Sequence, residues 1–233
     1  MVKYNLPNQP SLMYNARTMK NRVLLSALFV IVCVALGTGV GIYTSRDYNA
    51  NRTAKPDIEG FLWPNPRMIQ PFNVVDQHGR PYGLANLSGN WSFMFFGFTH
   101  CPDICPITLS LLSQVQKKLV ERKIADNVQI VFISVDPKRD TPEQVADYVN
   151  YFSKDLVGLT GTEEQVAGLA RQIGVVYIQN EETAAGDYSV DHSASVFLIS
   201  PTGQWLGIFS APHEVDDIIT RFKAISEFIK KQG

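Results

Sequence analysis

Gly97-Phe98-Thr99-His100-Cys101-Pro102-Asp103-Ile104-Cys105-Pro106 closes the run Trp91 to Phe98, whose near-continuous aromatic and apolar character is that of a buried strand. Beyond the cysteines, Leu111, Leu112, Val115 and Leu119 recur at helical spacing, so one face of that segment should pack on a sheet. Two thiols therefore sit between the end of a buried strand and the start of a helix. Three residues separate them, and Pro106 suits the first helical position, which puts Cys105 at or beside the helix N-terminus. Unpaired backbone N–H groups there stabilise a thiolate, so Cys105 is expected to ionise more readily than a free cysteine.

The flanking sequence extends this strand-to-helix unit into an alternating α/β pattern. Phe72 to Val75 reads as a short strand before the Asp76-Gln77-His78-Gly79 turn, and Val128 to Val135 as a second buried strand. Asp136-Pro137-Lys138-Arg139-Asp140 is a loop. Thr141 and Gln144 then form a capping-box pattern, with Pro142 at the first position of a helix running to about Phe152. Thr162 and Gln165 repeat that pattern for a helix ending near Gly174. Val175 to Gln179 reads as a strand, and Asn180 to Asp191 as a polar loop longer than a simple connection needs. Val196–Ser200 and Trp205–Phe209 flank a turn as a hairpin, and an amphipathic helix runs from about Val215 to Lys230. The order predicts a thioredoxin-like domain, a central mixed sheet flanked by helices, over residues 71–233. Residues 44–70 are rich in Pro, Asn and Arg, lack a sustained apolar period and read as a linker.

The chain has 233 residues and a formal charge of −1. Lys3, Arg17, Lys20 and Arg22 put four positive charges and no acid on residues 1–22, which leaves a mildly acidic remainder. No basic cluster marks a nucleic-acid surface. Residues 23–43 carry no charge and would extend about 31 Å as a helix, enough to cross a hydrocarbon core. They read as a transmembrane anchor; a cleaved signal peptide would have a shorter apolar region. The positive flank places residues 1–22 in the cytoplasm and exports the body. Cys33 lies inside the span, so Cys101 and Cys105 are the only cysteines of the exported domain.

The cysteine pair has three readings: a local structural disulfide, a thiol–disulfide oxidoreductase, or a metal site. Thioredoxin-like enzymes use C-x-x-C and carry a proline before the next antiparallel strand. Here the spacing is wider by one, and Ala184 to Ser200 contains no proline. That place holds Val190-Asp191-His192-Ser193-Ala194-Ser195, so a histidine is expected to face the thiols. Two thiolates and an imidazole suit Cu(I), or Cu(II) with an added oxygen ligand. Zinc is an alternative, although structural zinc sites normally have four protein ligands. His100, adjacent to Cys101, is the fallback ligand, whereas His78 in a turn and His213 near a helix start read as surface residues.

Three motifs in order, GFTHCPDICP at 97–106, Asp136-Pro137-Lys138-Arg139-Asp140-Thr141-Pro142 and Asp191-His192-Ser193-Ala194, resemble the Sco/SenC family of cytochrome c oxidase assembly proteins. The similarity runs from about Phe61 to the last helix. It implies a copper metallochaperone rather than an enzyme, with Cys101, Cys105 and His192 as the metal ligands and Cu(I) or Cu(II) bound. The implied acceptor is the CuA site of cytochrome c oxidase subunit II, and an upstream periplasmic copper donor is a further candidate partner. The alternative implied by the family is a thiol–disulfide oxidoreductase that reduces the cysteines of that site or acts as a redox sensor, with Cys101 and Cys105 as its redox-active pair. The single N-terminal helix and the long loop before His192 also look like the family pattern. The expected location is a bacterial inner membrane, crossed once, with the C-terminal domain in the periplasm. A mitochondrial inner membrane, with the domain facing the intermembrane space, is the alternative; 22 residues before the span leave little room for a transit peptide. Asp136 and Asp140 match family positions; from the residues themselves, Asp140 is a candidate helix cap and Asp136 a loop-orienting or outer-shell group.

Overall fold

The computed structural model describes residues 22, 25–40, 57–62, 64–182 and 187–232. Two compact units divide the chain, Met1–Ala54 and Lys55–Gly233. In the first, residues 25–40 are helical (α1), and Leu28, Phe29, Ile31 and Leu36 are exposed. Among the described residues no helix is long and apolar enough to cross a membrane. The expected span 23–43 includes residues 23, 24 and 41–43, which lie outside the described residues.

The second unit begins with the short strands β1 (Arg67–Met68), β2 (Asn73–Asp76) and β3 (Pro81–Gly83), then a one-turn helix, α2 (Leu84–Leu87). The strand-to-helix unit read from the cysteine segment follows as β4 (Trp91–Gly97) and α3 (Ile104–Glu121). Next come β5 (Val128–Ser134), α4 (Pro142–Phe152), β6 (Val157–Thr160) and α5 (Glu163–Ile173). The chain ends with β7 (Tyr177–Gln179), β8 (Val190–His192), β9 (Val196–Ile199), β10 (Gln204–Phe209) and α6 (Val215–Lys230). Eight strands form one mixed sheet in the order β1-β10-β9-β4-β5-β6-β2-β3, and β7 pairs with β8 in a separate two-stranded sheet.

All seven residues of β4 are buried because the strand lies in mid-sheet with cover on both faces. Its side chains alternate: Phe93 and Phe95 join one core with Leu109, Leu112, Val149 and Phe222 from α3, α4 and α6. Met94 and Phe96 join the opposite core with Val166 and Leu169 from α5. Both predicted capping boxes form, Thr141 with Gln144 on α4 and Thr162 with Gln165 on α5, and Gly174 closes α5 at a positive φ of 75°.

The structure corrects several expectations. The domain begins before residue 71: Phe61 is buried against Phe228, and β1 pairs with β10. Phe61, Arg67, Met68 and Ile69 therefore belong to the folded unit, whereas residues 44–56 and 63 of the expected linker lie outside the described residues. β6 is absent from the sequence reading because a strand of four residues, VGLT, is too short to show a period. The strand expected at Val175 to Gln179 is shorter and leaves the main sheet, pairing with β8 inside what read as a polar loop. Finally, α3 starts at Ile104, so Pro106 is its third residue and Cys105 its second.

Candidate metal centre

Sheet register brings three distant motifs to one end of the molecule. β4 and β5 run parallel with Gly97 opposite Ser134, so the cysteine loop and the Asp136–Asp140 loop leave the sheet side by side. β9 runs antiparallel to β4 with Val196 opposite Phe95, so the residues entering β9 arrive at that same end. His192 is four residues before Val196. This is the carboxyl end of the parallel strands, where α/β sheets hold their ligands.

Cys105 is fully buried in the first turn of α3, and Cys101 is half-buried in the preceding loop. His192 Nε2 is 3.3 Å from Cys105 Sγ. One ligand atom from each of Cys101, Cys105 and His192 lies within 4.8 Å of the other two. Metal–ligand bonds of about 2.0–2.3 Å in a trigonal or tetrahedral arrangement hold donors roughly 3.5–4 Å apart, so side-chain shifts of about an ångström would let the three atoms share one ion. Two sulfurs and an imidazole nitrogen form a soft donor set. Across the ring, His192 Nδ1 is 3.0 Å from the Ser193 carbonyl, which only accepts. Nδ1 therefore carries the proton and Nε2 keeps its lone pair for the sulfurs. Phe95 and Phe98 meet the imidazole edge-on at centroid distances of 6.0 and 5.9 Å.

The two thiols differ sharply. The S–H of Cys105 donates to Cys101, which holds the Cys101 thiol down to about 3; burial opposes this, and a bond with His192 supports it. Cys105 is pushed far above the ordinary thiol range, first because it donates that proton and then because it is buried. The expectation that Cys105 would be the readier thiolate is thus reversed. Both thiols sit near the helix start, and the shared proton settles on the buried sulfur because an anion costs more there. Gly97 makes room for the pair: a Cβ on it would fall 2.7 Å from Cys105 Sγ and 3.0 Å from the Phe132 ring.

His100, the fallback ligand, is not in the cluster; its Nδ1 lies 3.1 Å from Thr99 Oγ1 and 3.6 Å from Asp140 Oδ1. His78 is exposed in its turn as expected. His213 is not a surface group: it is half-buried with Nε2 2.7 Å from the Ala194 carbonyl, which ties the start of α6 to the segment after His192.

Asp140 is fully buried and is not the helix cap, a role taken by Thr141. Its carboxylate accepts from Thr99 N at 2.9 Å, Thr99 Oγ1 at 2.6 Å and Ser134 Oγ at 2.6 Å. It therefore pins the residue two before Cys101 to the end of β5. Asp136 accepts from Tyr188 Oη at 2.7 Å and from Arg139 Nε at 2.5 Å. The sequence reading missed Thr99, Ser134 and Tyr188: the partners of Thr99 and Tyr188 lie 41 and 52 residues away, and Ser134, six residues before Asp140, is marked by no local spacing.

A family model described as SCO1/SenC matches residues 63–227. The chain belongs to the SCO1/SenC family. It is 43% identical over 148 residues to Protein SCO1 homolog 1, mitochondrial, of Arabidopsis thaliana, a match covering 64% of this chain and 44% of that protein. It is 33% identical over 198 residues to a SCO2-like protein of Rickettsia felis, covering 82% of this chain and 94% of that one. The chain thus spans nearly all of the Rickettsia relative but about half the length of the mitochondrial relatives it matches. Among solved structures, Arabidopsis thaliana ScoI with copper bound superposes with a TM-score of 0.66 at 39% identity, covering 70% of this chain and 99% of that one. In the thioredoxin-like frame these SCO1/SenC structures share, Cys101, Cys105 and His192 occupy one end of the sheet in this chain.

Proposed function

We propose that this chain is a copper-binding and copper-transfer protein, with Cys101, Cys105 and His192 as ligands, that serves assembly of the CuA site in cytochrome c oxidase subunit II. The carrying observation is the convergence of those three donor atoms within 4.8 Å, in a member of a family with a copper-bound structure. Copper is cargo here, and the asymmetry of the thiols suits handing it on. Cys101 is only partly buried and Cys105 fully so, so an incoming thiolate reaches Cys101 first, while Cys105 holds the ion from the buried side together with His192 until the exchange completes. Residues 23–43 would tether the domain to the membrane, either a bacterial inner membrane with the domain in the periplasm or a mitochondrial inner membrane. Such a tether raises the local concentration of domain and membrane-bound acceptor. The reduced chain is expected to bind one copper ion tightly and pass it to a soluble CuA domain, and His192→Ala to bind much more weakly. Equal copper affinity in His192→Ala, measured by competition with a chromophoric chelator, would remove His192 from the site.

The half-exposed, readily ionised Cys101 beside a buried partner thiol also favours a second reading, reduction of a substrate disulfide. Cys101 would attack and Cys105 would resolve the mixed disulfide. Metal-free, one-to-one reduction of an oxidised CuA peptide by the reduced chain, which leaves Cys101 and Cys105 joined as a disulfide and disappears in Cys101→Ser, distinguishes this reading from copper transfer.

A further inference from the structure

His192 is carried by a strand that the main sheet does not hold. Among the described residues β8 pairs with β7 alone, through three residue pairs, in a sheet of its own. So small an isolated hairpin is marginal in water. Downstream, the segment is fixed by β9 and by His213 on the Ala194 carbonyl. Upstream, it is fastened by side chains. Val190 and His192 alternate along β8 and so share one face, and Tyr188 lies two residues before Val190 in the segment that leads into the strand. Val190 is buried, and Tyr188 reaches the Asp136–Asp140 loop.

There the Tyr188 hydroxyl donates to Asp136 Oδ1 at 2.7 Å, and Arg139 Nε donates to Asp136 Oδ2 at 2.5 Å. The Arg139 guanidinium lies 3.6 Å from the centroid of the Tyr188 ring, and its Nη1 donates to Asp187 Oδ1 at 2.8 Å. Asp136 is buried and the Arg139 side chain only 18% exposed, so this is a largely desolvated latch rather than a surface ion pair. We infer that Tyr188 and Arg139 are positioning residues for His192: together with Asp136 they clamp the β7–β8 hairpin onto the β5–α4 loop, so that the imidazole is in place beside the thiols before copper arrives. Neither residue touches the donor atoms. Their contribution is to spare the site the ordering of a loose hairpin on binding.

This rests on the copper reading above, and the experiment separates the two. Copper(I) affinity of the reduced full chain is measured by chelator competition for wild type, Tyr188→Phe, Arg139→Gln and His192→Ala, and for Tyr188→Phe in the His192→Ala background. Hydrogen exchange of the Val190–His192 amides is followed in the copper-free chains. The latch predicts affinity about 10-fold lower in Tyr188→Phe and up to about 100-fold lower in Arg139→Gln, the range for outer-shell partners of a metal ligand. It also predicts faster exchange in both, and no further loss when Tyr188→Phe is added to His192→Ala, because both act through the same imidazole. An equal loss in the two backgrounds would mean a general structural role and overturn the inference, as would unchanged affinity and exchange in both single variants. Should wild type bind no copper, the copper reading fails, while the exchange rates of the copper-free chains still decide whether the latch orders the hairpin.

Discussion

At Cys101 the sulfur is half-exposed and accepts the S–H of a fully buried Cys105, which holds the Cys101 thiol down to about 3. The reduced pair thus keeps one proton where an unfolded chain, with ordinary thiols near 8.5, would keep two. Alkylation of Cys101 should therefore be nearly independent of pH from about 8 down to about 5, whereas an ordinary thiol would slow roughly tenfold per unit. Cys105→Ala removes the donor and should restore that slope; mass spectrometry of the Cys101 adduct against pH checks both. The sign for stability follows. Between about 3 and the ordinary thiol range the unfolded chain binds more protons, so the pair's share of reduced-state stability rises with pH. Above that range the unfolded chain loses both protons, the folded one retains that of Cys105, and the share falls. Gly97 offers a steric test of the same place. Gly97→Ala pushes a methyl to 2.7 Å from Cys105 Sγ and should cost about 1–3 kcal/mol in urea unfolding, with weaker copper binding.

Two threonine-capped helices and one buried aspartate separate scaffold from site at the scale of elements. Thr162 accepts from Gln165 N at the start of α5, away from the thiols, so Thr162→Ala should cost about 1 kcal/mol and leave copper affinity unchanged. Asp140 sits where β5 gives way to α4 and accepts three hydrogen bonds, two of them from Thr99. Asp140→Ala strands buried donors on both sides and should cost about 3 kcal/mol, while also loosening the loop that bears Cys101. Thermal unfolding with copper titration of both variants checks the contrast: the first loses stability alone, the second loses both. The elements legible in the sequence were those with a long period or a cap. β4 and β5 announce themselves by near-continuous apolar runs, α4 and α5 by capping boxes, and α6 by its apolar stripe. β1, β3, β6 and β8 were missed because strands of two to four residues are defined by their partners rather than by their own pattern.

Over the whole molecule, Lys55–Gly233 is a compact unit with its own two-sided core. A chain lacking residues 1–54 should therefore fold, remain soluble and bind copper with the stoichiometry of the full chain. The full chain should sediment with membranes if residues 23–43 anchor it; carbonate-washed membrane fractions compared for the two forms decide this. The sequence by itself determined the α/β alternation, the dithiol at the end of a buried strand, and, through three motifs in order, the family and its expected copper ligands. Those follow from local quantities: hydrophobic period, turn and cap chemistry, and residue type at fixed spacing. Only the tertiary structure decided that Phe61 and residues 67–68 belong to the domain, that His192 rides on a hairpin outside the main sheet, and which sulfur keeps the shared proton. Each of these depends on pairing register or burial between residues far apart in the chain, which no local pattern encodes.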